Sequence, residues 1–265
     1  MIGAIIGDII GSIYEWNNIK ETEFPLFSDD CKFTDDSVQT IAVAEALLNG
    51  GSSDDFVDAL KKYGKLYPKA DYGGNMRKWL FSDDRNPYNS WGNGSAMRVS
   101  SCAWFADSLE EAELLAEKSA EVTHNHPEGI KGAKATASAI YLARTGKSKE
   151  EIKNYIASKY NYDLNRKIDD IRKLYTFKES CQESVPEAII AFLEGYDYED
   201  VIRKAISLGG DSDTIAAIAG SIAEAMYGIP SVILTDAFHF LDNDLVSVID
   251  RWLEAGKPVG SVVTK

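Results

Sequence analysis

The sequence predicts an all-α fold, and three observations carry that prediction. Apolar residues return repeatedly at the helical period and almost never alternate as in a half-buried strand. The segments marked in this way tend to start at a serine and to end near a glycine, the residues that cap helices at their two ends. No Asn-Gly turn joins two alternating runs, because Asn93-Gly94 lies inside a Gly-rich loop.

The elements follow in chain order. The apolar start, M-I-G-A-I-I-G-D-I-I-G-S-I, has no basic leader, and Asp8 interrupts it too early for a secretory or membrane-spanning segment. It reads as a buried helix with Gly3, Gly7 and Gly11 on one face, a spacing that lets another backbone approach closely. Residues 36–49 form a mostly buried helix stopped by Gly50 and Gly51. Helical periodicity marks 54–67, 109–123, 129–145, 149–159, 184–194, 197–208, 213–227 and 245–255, with Ser53, Ser108, Ser148 and Ser184 as candidate N-caps. A further helix is expected over 96–105. The stretch 71–94 is rich in Gly, Asn, Asp and aromatics and holds at most one short helix, so it reads as a functional loop. The basic residues of 159–178 read as a solvated helix face.

Neither a fixed-period repeat nor a Pro/Ser-rich linker divides the 265 residues, so one compact multi-helix domain over 1–265 is expected. A balance of 28 basic to 42 acidic residues, net −14, disfavours nucleic acid and anionic membranes as partners. The cysteines at 31, 102 and 181 suit neither a disulfide framework nor a metal motif, which points to a reducing compartment, the cytoplasm. The expected state is a monomer.

Chemistry concentrates in two acidic clusters at helix starts, Thr34-Asp35-Asp36-Ser37 and Asp211-Ser212-Asp213-Thr214. Helix capping accounts for either cluster taken alone. A cap needs only one such side chain, however, and two facing clusters would bring four carboxylates together, a costly arrangement without a cation. Oxygen-only ligands select magnesium or manganese over zinc. Gly209-Gly210 would let the chain turn sharply into the second cluster. The loop Trp91 to Arg98 reads equally as a turn or as a phosphate cradle, and Arg98 would add charge or form an ion pair. In Thr123-His124-Asn125-His126-Pro127-Glu128-Gly129 the histidine spacing does not suit zinc, so this segment reads as an interhelical turn lining a pocket.

In this order, Gly7-Asp8 through Gly11-Ser12 with Glu15, Thr34-Asp35-Asp36, Gly92-Asn93-Gly94-Ser95-Ala96-Met97-Arg98, Thr123-His124 with Gly129, and Gly209-Gly210-Asp211-Ser212-Asp213-Thr214 resemble the ADP-ribosylglycohydrolase family. The motifs span nearly the whole chain. The resemblance implies an all-α domain with two Mg2+ or Mn2+ ions held by Thr34, Asp35, Asp36, Asp211, Asp213 and Thr214. It implies that Glu15 gates or assists catalysis, and that Asn93, Gly94, Ser95, Ala96, Met97 and Arg98, with His124, hold the phosphates and the ribose of ADP-ribose. Ser37 stands where many members have a second threonine. The partner so implied is an ADP-ribosylated protein or an ADP-ribose derivative.

In that reading the cations hold the ribose diol beside a water, and Asp35, Asp36 or Glu15 takes its proton, with Glu15 and Asp35 the foremost catalytic candidates. The sequence does not choose among them, nor among arginine, serine, a base or a small metabolite as acceptor. A two-metal phosphoesterase would also cluster carboxylates, and a non-catalytic ADP-ribose-binding or structural protein would share the fold.

Overall fold

In the computed structural model, which describes residues 1–264, the first helix, α1 (Ile2–Gly11), is buried along its entire length. A helix apolar on every side has to sit inside the molecule. Ile5, Ile6, Ile9 and Ile10 are each almost inaccessible to water, worth about 2 kcal/mol apiece as transfer free energy. The partner of α1 is α13 (Ser212–Tyr227), which runs antiparallel to it: Gly3 meets Gly220, Gly7 meets Ala216, and Gly11 meets Ser212 and Asp213. A Cβ at Gly7 would overlap the carbonyl of Ala216, and one at Gly11 would lie 2.5 Å from Asp213 Cα. The glycine face read from the sequence therefore packs backbone against backbone.

Around α13 lie α8 (Pro127–Arg144), α11 (Cys181–Glu194) and α12 (Tyr198–Ser207). On the other side of α1 comes α2 (Asp35–Leu48), backed by α3 (Ser53–Leu66) and by α15 (Asn243–Glu254). The remaining helices are α4 (Gly74–Phe81), α5 (Gly94–Met97), α6 (Ser100–Phe105), α7 (Leu109–Glu121), α9 (Lys149–Tyr160), α10 (Ile168–Leu174) and α14 (Ser231–Phe238). One short parallel pair, β1 (Ile229–Pro230) with β2 (Val262–Val263), is the only sheet among the described residues. No described helix is long and apolar enough to cross a membrane.

Several boundaries differ from the sequence reading. The cap of α3 is Ser52, in a capping box with Asp55, and not Ser53. Helix α11 begins at Cys181, before the expected Ser184, whose hydroxyl bonds instead to Lys178 O and Asn93. The segment 96–105 breaks into α5 and α6 around Arg98, whose guanidinium is drawn into the core. The basic stretch 159–178 is not one helix face. It runs from the end of α9 through a loop and α10, and its charges meet acids: Lys159 with Glu113 at 2.6 Å, Arg166 with Glu187 at 2.6 Å, and Lys178 with Glu183 at 3.0 Å.

Candidate active site

The two acidic clusters meet at the N-termini of α2 and α13. Thr34 takes extended backbone angles and its Oγ1 accepts from Asp36 N at 3.3 Å, so the first cluster does cap its helix. The second does not. Asp211 stands at the N-cap of α13 but makes no capping bond, and its carboxylate accepts from Asn93 Nδ2 at 2.7 Å. Gly209 and Gly210 before it both have left-handed backbones (φ 70° and 79°), which aims Asp211 across the helix start. Thr214 Oγ1 donates to Asp36 Oδ2 at 3.1 Å and ties the two helix starts together.

Two overlapping carboxylate groups result. Asp8, Asp36 and Asp213 bring oxygens within 4.8 Å of one another, and so do Glu15, Asp211 and Asp213. Asp36 Oδ1 and Asp213 Oδ1 are buried without a hydrogen-bond partner. Burial, followed by mutual repulsion, pushes Asp35, Asp36 and Asp213 well above the usual carboxylate range. Asp211 rises to about 6, chiefly through burial and against the bonds it accepts. Glu15, in the turn after α1, rises to about 8 through burial and then through Asp213, Asp71 and Asp8. No lysine or arginine lines this cavity among the described residues. Orphaned, hard, anionic oxygens, with no basic residue in the lining and Lys32 acting on Glu15 and Asp213 from outside it, suit divalent cations of the magnesium type.

Of the residues singled out in the sequence, Glu15, Asp35, Asp36, Asn93, Gly94, Met97, His124, Asp211, Asp213 and Thr214 line the cavity. Thr34, Ser95, Ala96 and Arg98 do not. Thr34 Oγ1 donates to Asp8 at 2.7 Å, and Ser95 Oγ donates to Gly129 O at 2.8 Å. Arg98 is fully buried and forms no ion pair. It donates to Gln39 Oε1 at 2.9 Å, Ser119 O at 2.6 Å and Thr123 Oγ1 at 2.8 Å. The amide of Gln39 in turn donates to Asp35 Oδ2 at 2.6 Å, so Arg98 reaches the cavity indirectly, through a glutamine that holds Asp35 and through Thr123 beside His124.

His124 sits in the turn between α7 and α8, as its sequence context suggested, and burial followed by the nearby Arg98 holds its imidazole well below the usual range. It is therefore neutral. Thr123 Oγ1, which accepts from Arg98, also lies 2.7 Å from His124 Nδ1. In the tautomer in which Thr123 donates to Nδ1, the ring proton sits on Nε2, beside Gly94, as a donor to the cavity.

Sequence reading noted Asp8 as an interruption of an apolar run and as part of a resembling motif, and gave it no place in the acidic cluster. It is wholly buried and takes bonds from Thr34 N at 2.9 Å, Ser37 N at 3.0 Å and both side-chain hydroxyls. The available signal was a carboxylate in the middle of an otherwise apolar helix. Gln39, Tyr72 and Phe177 were missed as well.

The family model described as ADP-ribosylglycohydrolase matches residues 1–257. ADP-ribosylhydrolase ARH3 of Homo sapiens is 27% identical, over 88% of this chain and 85% of that protein. ADP-ribosylarginine hydrolase Tri1 of Pseudomonas putida (strain GB-1) is 24% identical, over 86% of this chain and 70% of the other. A solved structure, "ADP-ribosylglycohydrolase-related protein complex", superposes with a TM-score of 0.68 at 22% identity, covering 93% of this chain and 94% of that one, and is a likeness of fold.

Proposed function

Because the chain belongs to the ADP-ribosylglycohydrolase family, we propose that it hydrolyses the glycosidic bond between ADP-ribose and a modified acceptor, using two Mg2+ or Mn2+ ions. The observation that carries this reading is the pair of orphaned carboxylate oxygens, Asp36 Oδ1 and Asp213 Oδ1, in an acidic cavity without a basic residue among those described. Asp35, Asp36, Asp211, Asp213 and Thr214 would hold the ions, with Thr34 completing the set that the family resemblance implies. Bound there, the ions supply fixed positive charge that orients the ribose hydroxyls and makes water more acidic.

The other steps belong to the chain. Asn93 fixes Asp211, and Gln39 fixes Asp35, so these carboxylates meet substrate without reorganising. His124 Nε2–H donates to a phosphate or ribose oxygen at the same wall as Gly94, where the lack of a side chain leaves it room. Glu15 lies in a turn instead of a helix and stays partly exposed, which suits it to moving a proton between water and the leaving group. Asp35 is the second candidate for that role. Departure of the acceptor develops positive charge on the ribose ring, which the surrounding carboxylates stabilise.

The test is product analysis on defined ADP-ribosylated acceptors. Free ADP-ribose is expected with Mg2+ or Mn2+, and none after chelation with metal content verified at zero. Glu15→Gln should lower kcat by about a hundredfold, a usual loss for a proton-transfer group, while ADP-ribose still binds in calorimetry. Turnover in the chelated protein overturns the metal requirement, and AMP with ribose phosphate as products would make the protein a phosphoesterase.

A further inference from the structure

Trp16 and Phe177 stack at the edge of the cavity, ring centroids 5.0 Å apart and planes 18° from parallel. Both line it, yet Trp16 remains 74% exposed. A tryptophan packed for stability alone would bury more of its surface, so the open ring face calls for an explanation.

The pair is clamped to the reacting end of the site. Asn18 Nδ2 donates to Gly210 O at 2.9 Å, and Gly210 N donates to Asn18 Oδ1 at 2.8 Å. Lys20 Nζ donates to Tyr175 O at 2.8 Å. A Cβ at Gly210 would come within 3.0 Å of Thr176 O and 3.3 Å of Phe177 Cα. Three segments, 15–20, 175–177 and 209–211, are thus fastened together. Trp16 directly follows Glu15, and Phe177 packs against Gly210, which directly precedes Asp211, so one ring is tied by sequence and the other by packing to an acid of the cluster. The wall formed by Gly94 and His124 belongs to other segments of the chain.

Charge narrows the occupant. Besides the cluster acids, Asp71 and Glu179 line the same cavity; Asp71 is paired with Lys32 at 2.6 Å, whereas Glu179 has no side-chain partner among the described residues. Anionic walls beside an open aromatic face attract a cation, and a planar cation gains most by stacking.

We propose that Trp16 and Phe177 form an acceptor platform that selects a guanidinium group, as on an ADP-ribosylated arginine, over a small hydroxyl acceptor such as serine. This inference rests on the glycohydrolase reading and names the acceptor of that same site. The guanidinium stacks on Trp16 with Glu179 as the closing charge, and a serine side chain is too short and neutral to use either.

The experiment compares arginine- and serine-linked ADP-ribosyl peptides on the metal-loaded protein, measuring kcat/KM for each and binding of each to Glu15→Gln by calorimetry. The wild type is expected to favour the arginine conjugate. Trp16→Ala should lower the arginine-to-serine ratio by about tenfold, the scale of one cation–π contact, with Trp16→Phe restoring most of it. Circular dichroism and the Phe rescue separate this from misfolding. An unchanged ratio overturns the platform, as does a wild-type preference for serine. An equal fall on both conjugates with weakened ADP-ribose binding also overturns it and assigns the rings to adenine. Tighter, Trp16-dependent binding of the arginine conjugate without any turnover would keep the platform and overturn the hydrolase reading.

Discussion

Along the antiparallel pair of α1 and α13, Gly3 against Gly220 and Gly7 against Ala216 leave no room for a methyl group, whereas past Gly11 the same two helices open on to Glu15, Asp211 and Asp213. The closed end is satisfied within the chain: apolar side chains outside, backbone against backbone within, and its few polar groups paired, with Gly3 N donating to Glu224 at 2.8 Å and Tyr198 OH to Gly3 O at 2.9 Å. The open end is satisfied only in part by the chain, with two carboxylate oxygens unpartnered and several carboxyls held above their usual range. A rigid seam keeps mutually repelling groups where a ligand can use them. Stability and reactivity are thereby assigned to opposite ends of one helix pair.

The largest test of that division removes an acid. Asp211→Ala or Asp35→Ala should reduce ADP-ribose release by about a thousandfold, the scale of losing a main electrostatic contact. The metal-free variants should melt no lower than the metal-free wild type, because a repelling charge has gone. Product assay and thermal melts check both halves. Wild-type turnover at saturating metal would reduce the clusters to helix caps.

The reverse perturbation is Gly7→Ala, which forces a methyl group against the carbonyl of Ala216. Overpacking of a backbone seam should cost about 3 kcal/mol or more, read as a lower midpoint in denaturant. Activity per folded molecule should fall far less than in the acid variants. Loss of the chemistry with unchanged stability would show that the two ends are not separable.

A smaller effect is expected from pH. A carboxyl whose folded-state pKa lies above its unfolded value stabilises the fold while it is protonated, and that contribution is lost as pH rises toward the raised value. Asp211 at about 6 and Glu15 at about 8 therefore predict that the metal-free protein melts higher at pH 5 than at pH 8.5. Added Mg2+ or Mn2+ should flatten the slope, since the charged forms are then paired. Melting curves across this range, with and without metal, read it directly, and an upward trend without metal would contradict the burial of these acids.

The closed end was legible in the sequence because glycines four apart state their geometry locally. The two clusters were legible because each packs its acids into four residues. Asp8 was not, since its meaning lies in Thr34 and Ser37, which come 26 and 29 residues later. Arg98 read as a cavity residue because a Gly-rich pattern does not say which side chains turn inward, and its partners Gln39, Ser119 and Thr123 lie on other elements. Trp16 and Phe177 gave no sign of each other for the same reason. The start of α11 was placed late because Ser184 reads as an N-cap, whereas Ser180 and Cys181 carry the chain into the helix earlier.

The pairing of α1 with α13 also sets a schedule. Tyr198 OH reaches back 195 residues to Gly3 O, and the rest of the seam lies still further along the chain. On a translating ribosome α1 would therefore wait for about 200 more residues, on the order of 10 to 40 seconds at the usual rate of synthesis. A ten-residue helix is not stable by itself, and through that interval the isoleucine-rich segment has α2 but not α13 to lie against. The acids of α2 exist early and those of α13 late, and the site comes into being only when the seam closes. A nascent chain therefore has neither a complete acidic cluster nor a fully covered α1 until the same event, the emergence of α13.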